Sequence, residues 1–141
     1  MPWCIGVDVG TQSVKALVTC SETQTILGRG SYALELLDND GVGGRAEQNP
    51  EDWFVGFKDA IEIALAEARG NSTSRQDDDQ IVAIAVSGQQ HGMVALDGHG
   101  QVVRPAKLWC DTEAHQEALE LSREFGFEVV SDRLCLLLWY G

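Results

Sequence analysis

The sequence predicts an α/β domain in which a three-stranded antiparallel meander is followed by helix, strand and helix. Three observations carry that reading. Two β-branched apolar runs, residues 5–9 and 14–18, flank the short turn Gly10-Thr11-Gln12-Ser13, and a third, partly alternating stretch follows within residues 25–37. Asn49-Pro50-Glu51-Asp52 opens a segment whose apolar residues recur at three and four. Residues 81–86 form a short unbroken apolar run, the pattern of a strand covered on both faces.

The first hairpin carries the most chemistry. Gly10 has the freedom for a positive φ and, lacking a side chain, lets a ligand approach the backbone. The turn gathers amide N–H groups, the Thr11 and Ser13 hydroxyls and the Lys15 ammonium, with the Asp8 carboxylate at the strand end. Amides and hydroxyls suit phosphate oxygens, and a carboxylate beside them suits a hydrated magnesium ion bound to those phosphates. Hairpins that bind nothing have the same composition. The turn is not a Walker A loop, having no Gly-Lys-Ser/Thr at the required spacing, and no helix pattern follows it as in a dinucleotide fingerprint.

Residues 21–24 read as a second turn, and Ile26, Leu27, Tyr32, Leu34 and Leu36 mark the third strand. Residues 38–44, with Asp38-Asn39-Asp40-Gly41, read as a loop. In the helix, Asn49 caps, Pro50 takes the first position, and Glu51 and Asp52 favour the positive end of the dipole. Trp53, Phe57, Ala60, Ile61, Ala64, Leu65 and Ala68 form its core face as far as Gly70, with Trp53 read as packing. Residues 71–80 read as a solvated acidic linker without a metal. Beyond the strand at 81–86, residues 93–96 read as a second short strand closed by Asp97-Gly98-His99-Gly100, and residues 107–109 as a brief extended piece. Residues 112–125 read as a second helix with Glu113, Glu117 and Glu120 on its wetter side.

The 141 residues suffice for one domain with a real core. Twenty-two acidic residues against 10 basic ones give a net charge of −12, which disfavours a nucleic-acid partner. ATP stays open, because local N–H donors and a metal hold phosphate on an acidic protein. No apolar run approaches the about 20 residues of a membrane helix, and Met1-Pro2-Trp3 does not open a signal peptide, so the expected setting is cytoplasmic, without a membrane partner. Cys4, Cys20, Cys110 and Cys135 are scattered and read as free thiols.

Two further constellations stand out. Ser87-Gly88-Gln89-Gln90-His91-Gly92 sets a polar cluster at a strand's carboxyl end, where Gln and His side chains suit the hydroxyls of a polyol. A structural turn with a satisfied histidine is the alternative. In Arg104-Pro105-Ala106-Lys107-Leu108-Trp109-Cys110-Asp111, the indole offers an apolar face to sugar C–H groups and the carboxylate an acceptor to O–H groups. Core packing plus a helix cap from Asp111 or Thr112 explains the same residues.

Residues 8–15 resemble the first phosphate loop of the sugar kinase, actin and heat-shock ATPase superfamily, in the form found in carbohydrate kinases related to xylulokinase and glycerol kinase. That resemblance implies Asp8, Gly10, Thr11, Gln12, Ser13 and Lys15 as ATP contacts, with Asp8 near Mg2+ through water. The Gln-Gln-His cluster resembles the Ser/Ala-Gly-Gln-Met/Gln-His-Gly motif of xylulokinases and implies Gln90 and His91 as substrate contacts. Residues 104–111 resemble the family's Arg-Pro-x-x-Leu-Trp-Asn-Asp segment, with Cys110 where asparagine or glutamine is common, and imply Trp109 and Asp111 in the sugar pocket. Glu47-Gln48-Asn49-Pro50-Glu51-Asp52-Trp53 resembles the segment before the family's first long helix.

Four matches in order imply a ribonuclease-H-like fold, the first of the two domains of a sugar kinase, over residues 1–130. Residues 131–141 depart from the pattern and read as a divergent, truncated tail. The implied activity is ATP-dependent phosphorylation of a ketopentose, D-xylulose foremost, with sugar and ATP as partners and a homodimer allowed for a full-length version. In the family the catalytic base and adenine site come from later in the chain, so the isolated chain is expected to be inactive. Alternatives are a kinase for ribulose, gluconate or glycerol, or a non-catalytic truncated product that binds sugar or a partner subunit. Gln90-His91 argues against glycerol, for which the family has Arg-Glu.

Overall fold

The structure is a computed structural model that describes residues 1–37, 43–71 and 80–126; most of the expected loop at 38–44, all but the ends of the acidic linker at 71–80, and the tail at 131–141 lie outside it. Strands β1 (Pro2–Val9), β2 (Ser13–Cys20) and β3 (Ile26–Ala33) form the expected antiparallel meander. A two-residue strand β4 (Glu47–Gln48) leads into helix α1 (Pro50–Asn71), and β5 (Gln80–Gly88) returns beside β1. β5 runs parallel to β1, giving the sheet order β3-β2-β1-β5. A small second sheet pairs β4 with β6 (Ala106–Lys107), ahead of helix α2 (His115–Phe125).

Alternation along the strands builds one face of the core. Trp3, Ile5 and Val7 of β1 and Val14, Ala16 and Val18 of β2 are buried on the side covered by α1. Asp8, Lys15 and Leu17 turn to the exposed side. The helix begins as its sequence requires: the Glu51 N–H donates to Asn49 Oδ1 at 3.3 Å, and the Asp52 N–H donates to the Asn49 carbonyl at 3.0 Å.

The contact of α1 with the sheet is set by missing side chains. Gly56, Ala60, Ala64 and Ala68 form its buried row, whereas Trp53, Phe57, Ile61 and Leu65 flank that row half-buried. Opposite lie Gly28 and Gly30 of β3, where a Cβ would stand 2.1 Å from the Ala64 carbonyl oxygen and 1.9 Å from that of Ala60. Helix and strand backbones therefore touch directly, with no layer of side chains between them. The Asn71 side chain, donating to the Leu27 carbonyl at 2.9 Å, ties the far end.

Three expectations need correction. β5 forms, but it is exposed along its whole length rather than covered on both faces. By register Ile84 and Val86 share the α1 side of the sheet with Ile5 and Val7, yet α1 lies over β3 and β2, leaving them 54% and 59% exposed. Residues 93–96 make only isolated bridges, Met93 to Lys107 and Leu96 to Val102. Finally, α2 starts at His115 rather than at residue 112, and Glu113 ahead of it is engaged in ion pairs instead of facing water.

Candidate functional site

Because β1 and β5 are parallel neighbours, their carboxyl ends open at one edge of the sheet, where polar side chains beyond the strands meet ligands. β1 runs into the turn at residues 10–13, and β5 runs into residues 89–92. The Gln89 N–H donates to the Val9 carbonyl at 2.8 Å, carrying the pairing past the strand end. A Cβ on Gly88 would sit 3.1 Å from the Val9 carbonyl oxygen, so glycine is what permits the close approach. The two sequence-predicted clusters are side by side.

Within the first turn the Gly10 N–H donates to the Ser13 carbonyl at 3.1 Å. The anticipated positive φ at Gly10 is not used, and a Cβ there would sit tightly, 3.2 Å from the Ser13 carbonyl oxygen. The exposed Asp8 accepts a hydrogen bond from Ser87 Oγ at 2.7 Å, and Lys15 is its cross-strand partner. An exposed carboxylate beside a turn with no side chain at Gly10 fits a hydrated Mg2+ and phosphate oxygens. Thr11 is engaged on every polar atom of its side chain and carbonyl. Its hydroxyl donates to Gln89 Oε1 at 3.0 Å and accepts from Trp109 Nε1 at 3.0 Å, while its carbonyl accepts from Gln48 Nε2 at 2.7 Å.

On the other side of the edge, His91 has φ +60°, the left-handed region that non-glycine residues rarely occupy and that clusters at functional sites. It lines a cavity of about 200 Å³ with Val9, Trp53, Gln89, Gly92 and Val94. Gln90 is exposed next to it, and Trp109 is 59% exposed with its indole N–H fixed on Thr11. Trp53, read from sequence as packing, is a wall of this same cavity.

Asp111 is placed differently. Its Oδ2 accepts from the Ala46 N–H at 2.9 Å and from Lys107 Nζ at 3.0 Å, and its Oδ1 accepts from the Glu113 N–H at 3.1 Å. Its side chain is 5% exposed, and Asp111, like Gln90 and Trp109, is not among the residues lining the cavity with His91. Lys107 Nζ also lies 3.3 Å from Glu47 and 2.6 Å from Glu113, with Arg104 and Arg45 closing the cluster on those two glutamates. Glu47, Asp111 and Glu113 are close enough together to hold a cation, and the Lys107 ammonium is that cation. Arg45 and then Lys107 hold the Glu113 carboxyl down to about 2. Burial alone would raise the Asp111 carboxyl, but the Ala46 N–H, Lys107 and the Glu113 N–H together keep it below its ordinary value. Burial would likewise lower the Lys107 ammonium, and its bonds to Glu113, Asp111 and Glu47 raise it instead.

Two residues at the centre of the site, Gln48 and Gln89, stand in segments the sequence singles out but are given no role of their own there. Gln48 is 2% exposed and bonded to Thr11, Trp53 and Gln89, and Gln89 bridges it back to the turn at residues 10–13. β4 is two buried polar residues, Glu47 and Gln48, too short for a periodicity that would mark them.

Residues 3–141 match the FGGY family of carbohydrate kinases, N-terminal domain. A xylulose kinase of Haemophilus influenzae is 39% identical over 113 residues, covering 80% of this chain and 22% of that protein. The crystal structure of xylulose kinase from Rhodospirillum rubrum has a TM-score of 0.74 at 27% identity, over 92% of this chain and 25% of that one. Plasmodium falciparum glycerol kinase with ADP has a TM-score of 0.77 at 18% identity, over 93% of this chain and 25% of that one, a likeness of fold alone. The chain spans 22 to 23% of the length of three curated relatives it matches.

Proposed function

The chain belongs to the FGGY family of carbohydrate kinases, and from that premise we propose that it forms one wall of a site where ATP phosphorylates a ketopentose, D-xylulose foremost. The observation that carries this is the shared edge, where the Gln89 N–H meets the Val9 carbonyl and the Thr11 hydroxyl meets Gln89. Phosphoryl transfer is mostly positioning and charge stabilisation, so donor phosphate and acceptor hydroxyl must be held within reach of each other. Adjacent turns of unlike chemistry supply that arrangement.

In this reading Asp8 holds Mg2+ through water, and Gly10, Thr11, Gln12, Ser13 and Lys15 surround the phosphates of ATP. Magnesium, when bound, neutralises the charge that builds on the transferred phosphoryl group. Gln90 and His91 bind sugar hydroxyls, and the exposed Trp109 ring takes the sugar C–H face. Asp111 supports that wall from behind, through its hold on Ala46 and Lys107. The xylulose kinase relatives favour a ketopentose over glycerol, to which the likeness is one of fold. The reading sets the reaction in the cytoplasm, where ATP is available.

No residue of the chain is assigned as the acceptor of the sugar hydroxyl proton, so the 141 residues by themselves are expected to bind without turning over. Calorimetric titration of the purified chain tests this. Saturable binding of D-xylulose, lost in His91→Ala, together with Mg-ATP binding lost in Asp8→Asn, is the expected result. Binding of glycerol or D-gluconate in place of D-xylulose, or Mg-ATP binding indifferent to Asp8→Asn, would overturn it.

A further inference from the structure

A closed ring of hydrogen bonds joins three segments far apart in sequence. Gln48 Nε2 donates to the Thr11 carbonyl at 2.7 Å, Gln89 Nε2 donates to Gln48 Oε1 at 3.3 Å, and Thr11 Oγ1 donates to Gln89 Oε1 at 3.0 Å. Two indoles plug into it from outside, Trp53 Nε1 on Gln48 Oε1 at 2.9 Å and Trp109 Nε1 on Thr11 Oγ1 at 3.0 Å. Gln48 also donates to the Glu35 carbonyl at 3.4 Å, so its amide spends both protons and both lone pairs while 2% exposed.

We infer that Gln48 is a positioning residue, and that the ring Thr11–Gln48–Gln89 makes the turn at 10–13 and the turn at 89–92 move as one unit. A buried amide that loses one partner carries the full cost of an unmade bond, and bonds in a chain strengthen one another, so the members of such a ring hold or open together. Trp109 is fastened to the same Thr11 hydroxyl, so its exposed ring follows the phosphate turn as well. What the two turns bind rests on the reading given under Proposed function; their coupling does not. A Gln48 that only braced the start of α1 would act on Trp53 and go no further.

Amide hydrogen exchange on the 141-residue chain without ligand decides the coupling. The Gln89 and Met93 amides, bonded to the Val9 and Lys107 carbonyls, bracket Gln90 and His91 and report on the second turn. Thr11→Val removes one hydroxyl from the first turn and is expected to speed exchange at both amides by about tenfold, the size of one lost neutral bond. Thr11→Ser should restore the original rates. Added to Gln48→Leu, Thr11→Val should change those two amides no further; Gln48→Glu, which keeps the size but loses the donors, gives the same comparison if the leucine variant fails to fold. Acceleration confined to residues 10–13, or additive effects in the double variant, overturns the coupling. Mg-ATP is then added to the unsubstituted chain. Shifts at residues 10–15 that extend to Gln89 and the Trp109 indole support it, and shifts confined to residues 10–15 count against it. Absence of any shift at residues 10–15 refutes the nucleotide reading, with the coupling already decided by the ligand-free rates.

Discussion

Lys107 shows how much one side chain organises here. Its ammonium touches Glu47, Asp111 and Glu113, and so fastens β6 to β4 and to the segment that carries Trp109. Arg45 and Lys107 hold the Glu113 carboxyl down to about 2 against 4.5 ordinarily, and Asp111 also lies below its ordinary value. Carboxyls whose folded values are depressed contribute stability above their unfolded values and lose it as pH falls through the folded ones. Urea midpoints should therefore hold near neutrality and drop between pH 4.5 and about 2. Lys107→Met should weaken that dependence, Arg45 still holding Glu113, and cost about 3 kcal/mol at pH 7, because it leaves the buried Asp111 carboxylate without its cation. A midpoint in Lys107→Met as pH-dependent as in the parent would remove the cluster from the account of stability. At this scale the sequence was only partly legible. The family resemblance singled out Asp8, His91, Trp109 and Asp111, but Asp111 turning inward onto Lys107 depends on where the chain before β4 lies, and Ala46, which it bonds, is 65 residues away.

The elements themselves were largely legible, their packing less so. The meander, the cap at Asn49 and the reach of α1 follow from local chemistry. The depth at which α1 sits does not, because Gly28, Gly30 and the Gly56-Ala60-Ala64-Ala68 row matter through atoms they lack. Gly30→Ala should cost about 3 kcal/mol in chemical denaturation, since its Cβ would run into a backbone carbonyl that cannot swing aside. Gly6→Ala, with nothing within 4 Å of the new Cβ, should stay within about 0.5 kcal/mol. Equal costs at the two positions would contradict the direct backbone contact. β5 was misjudged for a related reason: an apolar run records what a strand is built to meet, whereas its exposure depends on how far α1 extends. Val86→Thr should cost under about 0.5 kcal/mol in this chain, while Val7→Thr, 4% exposed at the paired position, should cost about 2 kcal/mol.

For the molecule as a whole, the sheet order is what turns scattered motifs into one site. A parallel β1–β5 pair brings residues 10–13 and 89–92 to one edge, and β6 with the following residues delivers Trp109 to Thr11. The order of elements along the chain is only suggestive of this fold, and the resemblance of residues 8–15 to a known phosphate loop is what makes it firm. The central claim is that nucleotide and sugar lie next to each other along that edge. Paramagnetic broadening of NMR resonances by Mn-ATP, with D-xylulose present, measures this directly. The expected result is loss of signal at Asp8 and residues 10–15, extending to Gln90 and His91 but not to α2. Broadening centred elsewhere, or strong broadening at residues 10–15 with Gln90 and His91 untouched and D-xylulose shifting a different surface, would contradict it.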